Sequence, residues 1–98
     1  MAKFELRGTL SALNTRNGKN GEFVEVIVKE EIYNSMTGEL LVSTFHQALC
    51  FENSKIDVLR QKTHGDRLTL VGSIHSNERK TTDGQTFYSC WLNIRKID

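Results

Sequence analysis

The sequence has no long apolar run and no strong excess of charge. No stretch of about 18 apolar residues occurs among its 98 residues, which excludes a membrane-spanning helix. The formal net charge is +1, so the chain as a whole lacks the basic character that often marks nucleic-acid-binding domains. The N-terminal residues contain no apolar secretory core, which predicts a cytoplasmic protein. This length allows one domain, residues 1–98, with a single modest core.

Residues that could catalyse a reaction or hold a metal are also scarce. There is no glycine-rich phosphate loop and no paired-carboxylate site, so we expect a protein that is not an enzyme. The histidines, His46, His64 and His75, have no ligand-like spacing, which predicts no metal site and no cofactor. The two cysteines, Cys50 and Cys90, fall on the inward parity of predicted strands. In a reducing compartment this favours free thiols over a disulfide.

Alternation of apolar and polar residues is the main signal that the sequence does contain. This period of two predicts five strands, over residues 3–13, 23–32, 40–52, 67–75 and 86–97. Gly8 within the first strand predicts a bulge or a sharp bend. The inward row of the second strand is Val24, Val26 and Val28. In the fifth strand, parity predicts that the buried residues are Tyr88, Cys90, Leu92 and Ile94.

Between the third and fourth strands the pattern changes to that of a short helix. Asn53 or Ser54 can cap its start, and Gly65 can stop it. Ile56 and Leu59 are three residues apart, so they would share the inward face of this helix. The sequence therefore predicts one helix of about ten residues.

Turn-forming residues separate the strands at each end of the chain. Residues 14–21 and 76–85 are predicted to be polar hairpin loops because they contain Asn-Gly or Asp-Gly pairs. Arg16 and Lys19 fall in the first loop, and Arg79 and Lys80 fall in the second. Basic side chains at hairpin tips are often only solvated, so their meaning depends on whether the two loops flank one surface.

The element order of three strands, a helix and two strands predicts an all-β protein. It matches the OB-fold, a five-stranded Greek-key barrel with one short helix between strands 3 and 4. In that fold the second and third strands and two hairpin loops bind oligonucleotides or oligosaccharides. A five-stranded barrel of another topology is the alternative.

The third strand carries its largest side chains on one parity, namely Phe45, Gln47, Leu49 and Phe51. The opposite parity holds His46, Ala48 and Cys50. If the small residues pack into the core, the two phenylalanine rings point outward. Outward rings either stack on bases or are covered by a second copy of the chain, since aromatic residues are enriched at both kinds of surface.

Several short segments resemble the bacterial single-stranded-DNA-binding protein family, including its short relative primosomal replication protein N. The matching segments are Thr37-Gly38-Glu39, Phe45-His46, Ala48-Leu49-Cys50-Phe51, Gly65 to Gly72, and Asp83-Gly84-Gln85 with Tyr88. The resemblance implies that Phe45 and Phe51 stack on bases and that the chain forms a homodimer or homotetramer. Where many members have tryptophan, this sequence has Ile32 or Tyr33 and Lys80, which implies weaker binding per site.

The family's longer members also carry a flexible tail with an acidic tip that recruits replication enzymes. This chain ends at Asp98 without such a tail, which implies a plasmid, phage or primosomal type of binder. The prediction is sequence-independent binding of single-stranded DNA in replication, recombination or repair. The alternative is an OB-fold adaptor for a replication protein or RNA. The predicted nucleic-acid-binding residues are Phe45, Gln47, Phe51, Trp91, Arg16, Lys19, Tyr33, Arg79 and Lys80.

Overall fold

A computed structural model describes residues 2–98, and its elements follow the predicted order. They are β1 (Lys3–Gly18), β2 (Gly21–Tyr33), β3 (Leu40–Cys50), α1 (Asn53–Arg60), β4 (Arg67–Lys80) and β5 (Thr86–Ile97). The strands close into a barrel in the order β1-β2-β3-β5-β4, with β4 paired to β1. This arrangement is the OB-fold, as predicted.

The inward rows of the central strands form the core. Val24, Val26 and Val28 are fully buried on β2, and Ala48 and Cys50 are fully buried on β3. Cross-strand pairs join Val24 to Cys50 and Val26 to Ala48. The predicted inward parity of both strands is therefore confirmed, and the odd-numbered residues of β3 lie on the outside of the barrel.

The helix packs its apolar side against the core, but it begins differently from the prediction. Ile56 and Leu59 are buried, as expected. The N-cap is Glu52, which makes no side-chain capping hydrogen bond, so the predicted caps at Asn53 or Ser54 are wrong. Instead the Glu52 carboxylate accepts a hydrogen bond of 2.7 Å from Lys55 in the first turn. No helix within residues 2–98 is long and apolar enough to cross a membrane.

β1 changes its partner part-way along its length. It pairs with β4 from Lys3 to Thr9 and with β2 from Thr9 to Gly18. A Cβ atom added to Gly8 would clash with the Lys29 carbonyl oxygen and would lie 2.7 Å from Cγ1 of Val28. Glycine is therefore required where β1 passes closely over β2. The register irregularity of β1 lies a little further along, between Leu10 and Ala12.

The two predicted hairpin loops are mostly strand. β1 continues to Gly18 and β4 continues to Lys80, so only short turns remain at residues 19–20 and 81–85. Cross-strand partners such as Arg16 with Phe23 and Arg79 with Phe87 show that pairing continues beyond the barrel. We call these extensions the β1–β2 arm (residues 14–23) and the β4–β5 arm (residues 76–90). They contribute to an elongated molecule of 52 × 32 × 23 Å.

The β4–β5 arm also overturns part of the burial prediction for β5. Ile94 is buried and Leu92 is partly buried, as expected, but Tyr88 is 75% exposed and Cys90 is exposed. Parity assigned these two residues to the inner face correctly, but the strand has already left the barrel at that point, so no core covers them. Both cysteines are free thiols, which agrees with the prediction.

Candidate nucleic-acid interface

The outer face of β2 and β3 presents the two phenylalanines that parity had selected. Phe45 is 61% exposed and Phe51 is 48% exposed. Phe45 lies opposite Lys29 on β2, and Gln47 lies opposite Ile27. Six residues of nearly extended chain separate the two rings by roughly 20 Å. Two separate aromatic surfaces therefore face solvent on one side of the barrel.

Phe51 has an aromatic partner that was not among the predicted site residues. The rings of Phe23 and Phe51 lie 5.2 Å apart, with planes tilted by 30°. A Cβ atom at Gly18 would lie 3.2 Å from the Phe23 ring, so this part of the β1–β2 arm packs closely on it. Phe23 directly precedes the inward-facing Val24, so its parity places it on the outer row of β2. The information that parity lacks is the strand register that brings Phe23 to Phe51. Phe23 therefore packs against the Phe51 ring, which is still 48% exposed.

A carboxylate lies between the two rings and organises its neighbours. Glu25 accepts hydrogen bonds from Gln47 Nε2 and, at 3.3 Å, from Asn14 Nδ2. Arg16 Nη2 lies 3.7 Å from the same carboxylate. Arg16 was predicted to be a loop cation, but it lies in β1 and is paired with Glu25. Its charge therefore offsets an acid on the interface and is not a free phosphate contact.

Trp91 lies on the outer face of β5, next to β3. β3 and β5 run parallel where Leu49 pairs with Asn93, and Trp91 shares the parity of Asn93. The Trp91 ring stacks on His75 with centroids 5.4 Å apart and planes tilted by 16°. Trp91 is partly buried. One face of the indole is thus occupied by the imidazole, and the outer surface of the barrel continues from β3 to this stack.

The remaining predicted cations lie on the two arms. Lys19 is in the exposed turn of the β1–β2 arm, and Arg79 is exposed on β4 opposite Phe87. Neither side chain makes an ion pair within residues 2–98. Lys80 lies 3.9 Å from Glu78 and is highly exposed. The register places the two arms at opposite ends of β3, so cations are available beyond each end of the Phe45–Phe51 face.

Tyr33 lies at the end of β2, away from the paired rings. Its hydroxyl donates a hydrogen bond to Glu31, which is also 3.4 Å from the Lys29 ammonium. The hydrogen bond from Tyr33 and the nearby Lys29 lower the pKa of the Glu31 carboxyl below its ordinary value. The same carboxylate raises the pKa of Tyr33. The exposed Tyr33 ring is therefore held beside an acid and lies at the margin of the candidate interface.

Neither a protein-family model nor a curated protein matches the chain by sequence. Solved structures do match it over nearly its whole length. The mitochondrial single-stranded-DNA-binding protein Rim1 from Saccharomyces cerevisiae has a TM-score of 0.74 and 12% identity over 99% of this chain and 92% of that one. The chain has the fold of single-stranded-DNA-binding proteins.

Two further structures share this fold. The Plasmodium falciparum single-stranded-DNA-binding protein in complex with single-stranded DNA has a TM-score of 0.65 and 18% identity, covering all of this chain and 91% of that one. The small single-stranded-DNA-binding protein from Streptomyces coelicolor has a TM-score of 0.64 and 14% identity, covering 98% of this chain and 91% of that one. The OB-fold predicted from the element order is thus confirmed by three structural neighbours.

Proposed function

We propose that this chain binds single-stranded DNA without sequence preference, as a cytoplasmic protein of DNA replication, recombination or repair, and that it catalyses no reaction. The main support is that Phe45, on the outer face of β3, and Phe51, directly after the last residue of β3, are both exposed. Every base has a π face, so such rings accept any sequence. The fold shared with single-stranded-DNA-binding proteins supports the same proposal.

Each part of the face has a distinct role in this proposal. Phe45 and Phe51 stack on bases, and Phe23 holds the Phe51 ring in position. Gln47 donates its amide hydrogen to Glu25, so its carbonyl oxygen is free to accept a hydrogen bond from a base. Trp91, backed by His75, supplies a third ring at the edge of the face.

The arm cations supply the electrostatic part of binding. Lys19 at one end and Arg79 and Lys80 at the other contact phosphates, which releases counterions and makes affinity fall with salt. Arg16 contributes indirectly by offsetting the charge of Glu25. This local distribution explains how a chain with a net charge of only +1 can bind a polyanion.

Replacing both rings tests the proposal directly. We expect Phe45→Ala with Phe51→Ala to abolish measurable binding of oligo-dT at low salt, because each ring contributes about fivefold to a hundredfold in affinity. Quenching of Trp91 fluorescence measures binding, and circular dichroism confirms the fold. Val58→Ala is the matched control, since Val58 is an exposed apolar residue of α1 away from this face. Unchanged affinity in the double variant would remove the stacking mechanism.

A second candidate function is an OB-fold adaptor that binds a replication protein or RNA. The observation that favours a protein contact is the apolar end of the β2–β3 hairpin, where large side chains are exposed at Ile32, Met36, Leu40, Leu41 and Val42. Self-association into a homodimer or homotetramer through this end is part of the proposal. Competition of single-stranded DNA with RNA and duplex DNA in the same titration separates the functions, because the first proposal requires single-stranded DNA to bind most tightly.

A further inference from the structure

A row of outward residues crosses four strands of the barrel, starting at Phe45. Cross-strand pairs join Phe45 to Lys29, Lys29 to Thr9, and Thr9 to Arg67. Neighbouring strands are about 4.8 Å apart, so the row spans roughly 14 Å from β3 to β4. It leads away from the Phe45–Phe51 face, around the side of the barrel, and contains one ring, one hydroxyl and two cations.

The row runs along two adjoining surface cavities, which we together call the trough. Two surface cavities of about 550 and 390 Å³ share Thr9, Lys29 and Glu31 in their walls. The smaller one also contacts Phe45, and the larger one extends to Arg67. The close passage of β1 over β2 at Gly8 keeps side chains out of the larger cavity's floor. The trough therefore starts at a proposed stacking ring and ends at an arginine.

The charges in the trough leave one cation without a partner. Each carboxylate side chain in its wall has a contact of its own. Glu31–Lys29 at 3.4 Å and Asp98–Lys96 at 3.8 Å are ion pairs, and Glu30 is at hydrogen-bonding distance, 3.3 Å, from the His46 ring. Arg7 is paired with Glu5 at 2.7 Å. Arg67 is exposed and makes no ion pair within residues 2–98. A guanidinium of this kind is suited to bidentate binding of a phosphate.

We propose that this trough is a second track for the backbone of single-stranded DNA, with Arg67 as its phosphate-binding residue. The strand leaves the Phe45 ring, passes the Thr9 hydroxyl and the Lys29 ammonium, and places a phosphate on the guanidinium. The inference rests on the proposed function and extends its binding site from β2 and β3 to β1 and β4. Longer oligonucleotides therefore gain contacts that shorter ones cannot reach.

The test compares Arg67→Gln with Lys62→Gln, which removes the same charge outside the trough and the arms. Oligo-dT of about 6 and about 16 nucleotides is titrated over a range of salt concentrations. We expect Arg67→Gln to weaken binding of the longer oligonucleotide severalfold and to reduce its salt slope by about 0.7, with little effect on the shorter one. Lys62→Gln should leave both unchanged.

The outcomes separate this inference from the proposed function. If the longer oligonucleotide binds Arg67→Gln and Lys62→Gln equally, the track does not exist, while stacking on Phe45 and Phe51 stands. A change in the mass of Arg67→Gln in solution would make the trough a subunit contact and would also overturn the inference. If the wild-type chain binds neither oligonucleotide, the proposed function itself fails.

Discussion

The two arms have the same hairpin architecture, but they are held to the barrel differently. Side-chain contacts hold the β1–β2 arm to the rest of the protein. Arg60 of α1 donates hydrogen bonds to Glu22 and to Thr15, and Phe23 packs on Phe51. In the β4–β5 arm every residue from Ser76 to Cys90 is exposed. Its described hydrogen bonds and ion pairs beyond Ser76 stay within the arm.

This difference indicates that the two arms contribute to binding in different ways. A tethered arm holds its ring and cations in fixed positions, which lowers the entropy lost when a ligand binds. An arm without ties can follow a strand whose backbone varies, at the cost of ordering when it binds. We therefore expect the β1–β2 arm to orient the Phe51 platform and the β4–β5 arm to contribute mainly charge and additional rings.

Among changes to the arms, the largest effect on binding is expected from removing the β4–β5 arm. Residues 77–89 can be replaced by a two-residue Asn-Gly turn, because Ser76 and Cys90 are direct cross-strand partners. The barrel should fold, since its core lies elsewhere, while affinity for oligo-dT falls strongly. Losing Arg79 and Lys80 should reduce the salt slope by about 1.4. The measurement is a salt titration of oligo-dT binding.

Lys19→Gln on the tethered arm is the control for that experiment. It removes one cation and should reduce the slope by about 0.7. An unchanged slope in the shortened variant would mean that the β4–β5 arm does not contact phosphates. The two arms would then differ in structure without differing in binding.

A smaller effect is expected for the individual ion pairs of the two arms. A double-mutant cycle on Arg60 and Glu22 should give a coupling free energy of up to about 1 kcal/mol, because both side chains are roughly half exposed. The same cycle on Lys80 and Glu78, which are 3.9 Å apart within the other arm, should give a value near zero. Urea unfolding measures both. Equal coupling in the two cycles would contradict the view that only the β1–β2 arm is tied to the barrel.

Much of the barrel could be predicted because burial leaves a pattern in the sequence. Val24, Val26 and Val28 alternate with polar residues only because one side of β2 is covered. The arms could not be predicted in this way. The barrel core covers neither side of an arm, so no buried row forms there and polar residues are tolerated on both faces. A polar segment that contains an Asn-Gly or Asp-Gly pair is then predicted to be a long loop, although most of it is strand.

The candidate site was predictable in part for the same reason. Exposure of Phe45 and Phe51 follows from the parity of β3, which the buried Ala48 and Cys50 fix. The contacts of Arg16 with Glu25 and of Phe23 with Phe51 depend on the register between strands and on hairpin length. A single sequence read for periodicity does not specify register where no face is buried.

The smallest predicted effect concerns the turn of the untied arm. Hydrogen bonds from the Thr81 hydroxyl and the Gln85 amide lower the pKa of Asp83 below its ordinary value of 3.8. These hydrogen bonds contribute fully to the stability of the turn above pH 3.8, and that contribution is lost as the pH falls through the lower pKa of the folded state. The Gln85 amide resonance should therefore shift in that range in NMR spectra, with no unfolding of the barrel. In Asp83→Asn the shift should be absent, whereas an identical titration would show that another group controls the turn.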